Sequence, residues 1–141
     1  MTVAKWQFFM ILAAAACVLT SAEGEVVLGP LTQIAGSPDR GLAILRDATK
    51  PSCLICHQIP SLPDPGQGQL GPSLAGVAGR YSAEELRQRI IDARVFQSDT
   101  IMPPYYSTKG LLQVGRRWLG QTIYQAQDVE DVVAFLMTLK D

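Results

Sequence analysis

The side chains best suited to chemistry in this 141-residue chain stand within one five-residue stretch, CLICH. It contains Cys53, Cys56 and His57, and His57 is the only histidine in the sequence. Thiols and imidazoles in such proximity form disulfides, bind metal ions or attach a prosthetic group. These possibilities differ in how many further groups each of them needs.

Counting those groups favours one possibility. A Cys-x-x-Cys disulfide is typical of redox pairs on a βαβ scaffold, and the sequence shows no such strands. A structural zinc site needs four ligands, but once residues 1–22 are removed the chain has no other cysteine or histidine. Covalent haem attachment uses all three residues, because two thiols reach the two vinyl groups and the next residue is an imidazole for the iron. We therefore predict one haem c held by Cys53 and Cys56, with His57 as an iron ligand.

A second iron ligand must come from elsewhere in the chain, and a second histidine is excluded. Met137 falls inside a predicted helix, where methionine usually fills the core. Met102 lies in DTIMPPYY, where Pro103 restricts its backbone and a second proline stiffens the loop. We predict Met102 as the ligand, with Lys109 a weaker candidate. Iron with both positions filled suits electron transfer, whereas displacement of the methionine by a small gas would make a sensor.

The N-terminus predicts export. Lys5 precedes an apolar run of about 12 residues, Phe8 to Leu19, and Thr20-Ser21-Ala22 supplies small residues for cleavage. We predict a signal peptide over 1–22, because a membrane span needs roughly 20 apolar residues. A lipoprotein anchor at Cys17 is a third and weaker alternative.

The charge of the exported part excludes one class of partner. Without Lys5 it carries 11 Lys and Arg against 13 Asp and Glu, a net charge of −2. Nucleic-acid binding needs clustered positive charge, which is absent.

The remaining pattern predicts an all-α domain over 37–141, preceded by a loosely held arm over 23–36. Ser37-Pro38 is a favoured helix start, Ser82 with Glu85 forms a capping box, and a third amphipathic stretch follows Asp128. Proline-rich and glycine-rich loops separate these three main helices. Such long loops need something to enclose, and a haem supplies it.

The segments CLICH, GPSLAGVAGR, DTIMPPYY and QDVEDVVAFLMTLK, in this order, resemble class I cytochromes c. The resemblance implies that the Pro72 carbonyl accepts the Nδ1 proton of His57 and that Arg80 lies near a haem propionate. It also implies a close crossing of the first and last helices at Gly41 and Phe135.

Two positions depart from the family pattern. Pro51-Ser52 stands where Gly-Asn is more usual, which affects the turn before the first cysteine. Gln125 replaces the threonine that usually caps the last helix, which predicts a slightly frayed start.

A narrower resemblance lies in RYSAEELRQRIIDAR followed by DTIMPPYY, which is similar to the SoxX family. These are monohaem subunits of the SoxAX cytochromes of periplasmic sulfur oxidation. The resemblance implies a SoxA-like partner that carries the catalytic haem and joins thiosulfate to a cysteine of a SoxYZ-like carrier, as an L-cysteine S-thiosulfotransferase. The present chain would supply no catalytic residue and would pass electrons to another cytochrome. A freestanding periplasmic electron carrier is the alternative.

Overall fold

The computed structural model describes residues 29–140, so the predicted signal peptide lies outside the described residues. Within 29–140 the chain is helical and contains no strand, which confirms the all-α prediction. The α-helices are α1 (Pro38–Arg46), α2 (Val77–Arg80), α3 (Ala83–Asp92) and α4 (Ala126–Leu136). Three single 3₁₀ turns accompany them: Cys53–Ile55, Ala93–Val95 and Arg116–Trp118. No helix in this part of the chain is long and apolar enough to cross a bilayer.

The helix starts follow the local sequence signals. The Ser37 side chain accepts a hydrogen bond from the backbone N–H of Arg40, and Ser82 and Glu85 form the predicted capping box. The start of α4 differs from the expected frayed end, because the Asp128 carboxylate accepts a hydrogen bond of 3.0 Å from the backbone N–H of Gln125. The carboxylate thus accepts a hydrogen bond from a free N–H group at the N-terminus of α4. Its negative charge is also favourable at the positive end of the helix dipole.

Helices α1 and α4 cross at the predicted contact, which organises the core. Gly41 is buried there, and a Cβ atom added to it would collide with the carbonyl oxygen of Asp131 and lie 2.7 Å from the Phe135 Cβ. The absence of a side chain therefore lets the two backbones touch. The fully buried side chains around the crossing include Leu45 and Val132.

The described part of the arm, 29–36, is held against α4 and is not loose. The backbone N–H of Leu31 donates to Glu130 Oε1 at 2.9 Å, and the Thr32 hydroxyl donates to Gln127 Oε1 at 2.8 Å. Glu130 is itself buried and paired with Arg87, with N···O distances of 2.8 and 3.0 Å. A buried carboxylate needs several donors, and the arm supplies one of them.

The close crossing of α1 and α4 predicts a difference in stability between two glycine-to-alanine variants. We expect Gly41→Ala to lower the free energy of unfolding of the holoprotein by about 1–3 kcal/mol, the usual cost of overpacking. Gly79→Ala is the matched control, because its Cβ would meet only the Lys140 carbonyl oxygen, at 3.9 Å. Chemical denaturation measures both variants, and an equal stability of the two would contradict the crossing geometry.

Candidate haem site

The CLICH stretch forms a 3₁₀ turn whose backbone is internally hydrogen-bonded. The N–H groups of Cys56 and His57 both donate to the Cys53 carbonyl, at 3.1 and 2.8 Å. Ser52 starts the turn, since its hydroxyl oxygen accepts from the backbone N–H of Leu54 at 3.1 Å. The turn is therefore capped although the usual Gly-Asn pair is replaced here.

A second loop lies along this turn and fixes its shape. Backbone N–H groups of the loop donate to carbonyls of the turn region, all at 2.8 Å: Gly68 to Leu54, Gly71 to Cys56, and Leu74 to Gln58. A Cβ on Gly68 would lie 2.6 Å from the Ile55 carbonyl carbon, so only glycine permits this approach. The sequence showed a glycine-rich loop here, but it did not indicate which residues the loop would meet.

His57 is the centre of the arrangement, and its ring orientation is fixed from two sides. Its Nδ1 lies 2.7 Å from the Pro72 carbonyl oxygen, the contact that the family resemblance implies. A carbonyl only accepts, so Nδ1 carries the proton and Nε2 keeps a lone pair for a metal. A Cβ on Gly71 would lie 2.7 Å from Nδ1 and 2.9 Å from Nε2. The imidazole therefore occupies space that any other residue at position 71 would fill.

The surroundings of the Cys53 thiol differ from those of a reactive redox thiol. Cys53 and Cys56 are both free. Burial raises the pKa of the Cys53 thiol to about 11, although a hydrogen bond with Tyr124 acts in the opposite direction. Reactive Cys-x-x-Cys pairs instead have a lowered pKa, because the thiolate is the nucleophile. Cys53 is thus held as a neutral thiol.

Tyr124, which the sequence did not single out, connects the cysteine turn to the methionine loop. It is fully buried, and its hydroxyl donates to the Pro51 carbonyl at 3.3 Å. Its ring packs against the Tyr105 ring at a tilt of 34°, with 4.6 Å between centroids, and its backbone N–H donates to the Tyr105 carbonyl at 2.8 Å. Tyr105 is three residues beyond Met102, so this pair holds the two halves of the site together.

The loop that contains Met102 also caps the end of α3. The backbone N–H groups of Tyr105 and Tyr106 donate to the carbonyls of Ile90 and Ile91, at 3.0 and 3.3 Å. Carbonyls in the last turn of a helix lack partners within it, and here the loop supplies the donors. The prolines after Met102 stiffen the same segment.

Met102 lies beside a cavity of about 510 Å³, a volume in the range of cofactor sites. Much of the lining is apolar and includes Pro103, Leu111, Leu112 and Trp118. The cysteines and His57 do not line this cavity. The structure therefore gathers Cys53, Cys56, His57 and Pro72 in one place and puts Met102 on a neighbouring loop.

The other two candidates have different surroundings. Arg80 is exposed, and its guanidinium donates to the carbonyls of Ser73, at 2.9 Å, and Ala75. It thus secures the loop that follows Pro72. Met137 directly follows α4 and packs, partly buried, against the core, as expected for a methionine that fills space.

The residues present fit a covalently bound haem. The donor set is two free thiols and an imidazole with an available Nε2, and Gly71 leaves room for the ring. These are the groups that Cys-x-x-Cys-His attachment requires.

Residues 39–140 match the family described as Cytochrome c, so the chain belongs to the cytochrome c family, which implies a covalent haem c and electron transfer. It is similar to one chain of the crystal structure of SoxXA from P. pantotrophus. The two are 35% identical with a TM-score of 0.74, over 82% of this chain and 90% of that chain. Together the two matches support a SoxX-type cytochrome. No curated protein matches the chain significantly.

Proposed function

We propose that this protein is the electron-transfer haem subunit of a periplasmic thiosulfate-oxidising complex. It takes electrons from a SoxA-type catalytic subunit and passes them to another cytochrome. The likeness to a chain of SoxXA, over 90% of that chain, is the observation that carries the proposal. The predicted signal peptide over 1–22 supports the periplasmic location.

Different residues of the chain would attach the haem, bind its iron and orient the ligands. Cys53 and Cys56 would form the two thioether bonds, and His57 and Met102 would bind the iron. When bound in this way, a haem supplies a one-electron couple whose potential methionine ligation raises. The Pro72 carbonyl holds the proton on His57 Nδ1, and this keeps Nε2 directed to the metal. Arg80, which secures the loop after Pro72, would lie near a haem propionate.

Thiosulfate chemistry belongs to the partner in this proposal. With both thiols bonded to haem and both iron positions filled, residues 29–140 would offer a substrate neither a free thiolate nor an open metal position. The SoxYZ-like carrier therefore meets this subunit only indirectly, through the SoxA-like partner.

Co-purification tests this assignment. A tagged chain, expressed with haem maturation in a host that encodes the SoxA-like protein, is expected to recover a second haem-bearing subunit in equal amount. The recovered pair should restore thiosulfate-dependent reduction of a cytochrome acceptor, whereas another tagged c-type cytochrome from the same host should not. Recovery as a haem-bearing monomer that restores no such activity would instead favour the freestanding carrier.

A further inference from the structure

Arg94 lies directly after α3, in the 3₁₀ turn Ala93–Val95, and its guanidinium is fixed by Asp92. Arg94 Nε donates to Asp92 Oδ1 at 2.8 Å and Arg94 Nη2 donates to Asp92 Oδ2 at 2.6 Å. The backbone N–H of Arg94 also donates to Asp92 Oδ1, at 3.1 Å. Hydrogen bonding to Arg94 lowers the pKa of Asp92, so the carboxylate stays ionised. These two parallel hydrogen bonds to one carboxylate fix the orientation of the guanidinium.

The remaining donors of the same guanidinium reach the methionine loop. Nη2 donates to the Lys109 carbonyl at 2.8 Å and Nη1 donates to the Gly110 carbonyl at 3.2 Å. Gly110 has a φ of +61°, so the chain reverses at this point in a conformation that favours glycine. The planar guanidinium reaches one carboxylate and two carbonyls from three separate nitrogens, and the single nitrogen of a lysine does not match that geometry.

The loop from 102 to 110 is consequently attached in two places, to α3 and to the 3₁₀ turn that follows it. Its middle is held by the backbone bonds of Tyr105 and Tyr106 to the last turn of the helix, and its far end is held by Arg94. Arg94 and Met102 line the same cavity. Release of the far end would therefore loosen the segment that must carry Met102 to the metal.

We propose that Arg94 is a positioning residue for Met102: it clamps the far end of the loop and so keeps the thioether in place on the iron. The inference rests on the proposed role of Met102 as a ligand. Asp92 acts through Arg94, by holding the guanidinium in the orientation that reaches both carbonyls. The clamp restricts the loop before the sulfur binds the iron. The loop therefore loses less conformational entropy on binding, which is the general benefit of preorganisation.

The test uses Arg94→Gln in the full-length holoprotein. Arg46→Gln is the matched control, because Arg46 forms the same bidentate bridge, with Asp64, without touching this loop. The first measurement is hydrogen–deuterium exchange of the peptide spanning 102–112. We expect about tenfold faster exchange of the Tyr105 and Tyr106 amides in Arg94→Gln, because two hydrogen bonds from a charged donor are lost. Arg94→Lys should not restore the wild-type rate.

The second measurement is the pH at which the oxidised protein loses its sulfur-to-iron charge-transfer band. We expect the band to disappear at a pH about one unit lower in Arg94→Gln than in Arg46→Gln, which corresponds to a roughly tenfold easier loss of the sulfur from the iron. Asp92→Asn should lie between the two. Unchanged exchange at 102–112 would overturn the clamp whether or not Met102 binds iron. Faster exchange with an unmoved band would overturn the positioning role alone. If the band also survives in Met102→Ala, the ligand assignment fails instead, and the inference fails with it.

Discussion

Replacing His57 with alanine is expected to reduce covalent haem content at least about tenfold, since even the loss of a residue that supports a ligand weakens metal sites by 10-fold to 100-fold. His57 is the only histidine in the chain, so no other imidazole can take its place. Its Nδ1 donates to the Pro72 carbonyl, so Nε2 is the ring nitrogen that remains available to the iron. Haem absorbance per unit of purified protein measures the result.

The control for this variant must leave the proposed iron ligands unchanged. Gly79→Ala serves, because its added Cβ meets nothing closer than 3.9 Å, and it should mature with a normal haem content. An ordinary haem content in His57→Ala would overturn the axial assignment.

Met102→Ala is expected to abolish the sulfur-to-iron charge-transfer band of the oxidised holoprotein while leaving the haem covalently attached. The proposed thioether bonds at Cys53 and Cys56 would not involve this loop, so haem attachment should proceed. The reduction potential should fall by a sizeable part of the roughly 0.8 V range that axial ligands span. Absorption spectra and a redox titration measure the two effects.

Met137→Ala is the matched control for the ligand assignment. Met137 packs against the core at the end of α4, so its loss should lower stability and leave the band in place. A band that persists in Met102→Ala and vanishes in Met137→Ala would show that the other methionine binds the iron.

Local signals in the sequence predicted the elements that local chemistry controls. Ser37-Pro38 and the Ser82 and Glu85 pair determine their helix starts through bonds within one turn, so the sequence alone revealed them. Helix α2, Val77–Arg80, is one turn long and too short to show a hydrophobic period, and it was not predicted.

Contacts between distant segments could not be derived in this way. The contact of Gly71 with His57 depends on the register between two loops, and no periodicity encodes that register. The clamp from Arg94 to Gly110 likewise joins residues 16 apart through backbone carbonyls, whose positions follow from the fold and not from residue type. The family resemblance supplied the Pro72 contact, which residue chemistry alone would not have identified.

The close approach of the Gly71 backbone to the His57 ring limits how this site could be moved into another protein. A designer who copies only CLICH into a helical scaffold transfers the thiols and the imidazole, but not the backbone that passes beside the ring without a side chain. The scaffold would also have to provide a carbonyl at the place of Pro72, about 2.7 Å from Nδ1. The smallest unit that could be transferred is therefore the whole stretch from 53 to 72. In this stretch the loop with Gly68 and Gly71 holds the CLICH turn in its shape through backbone hydrogen bonds.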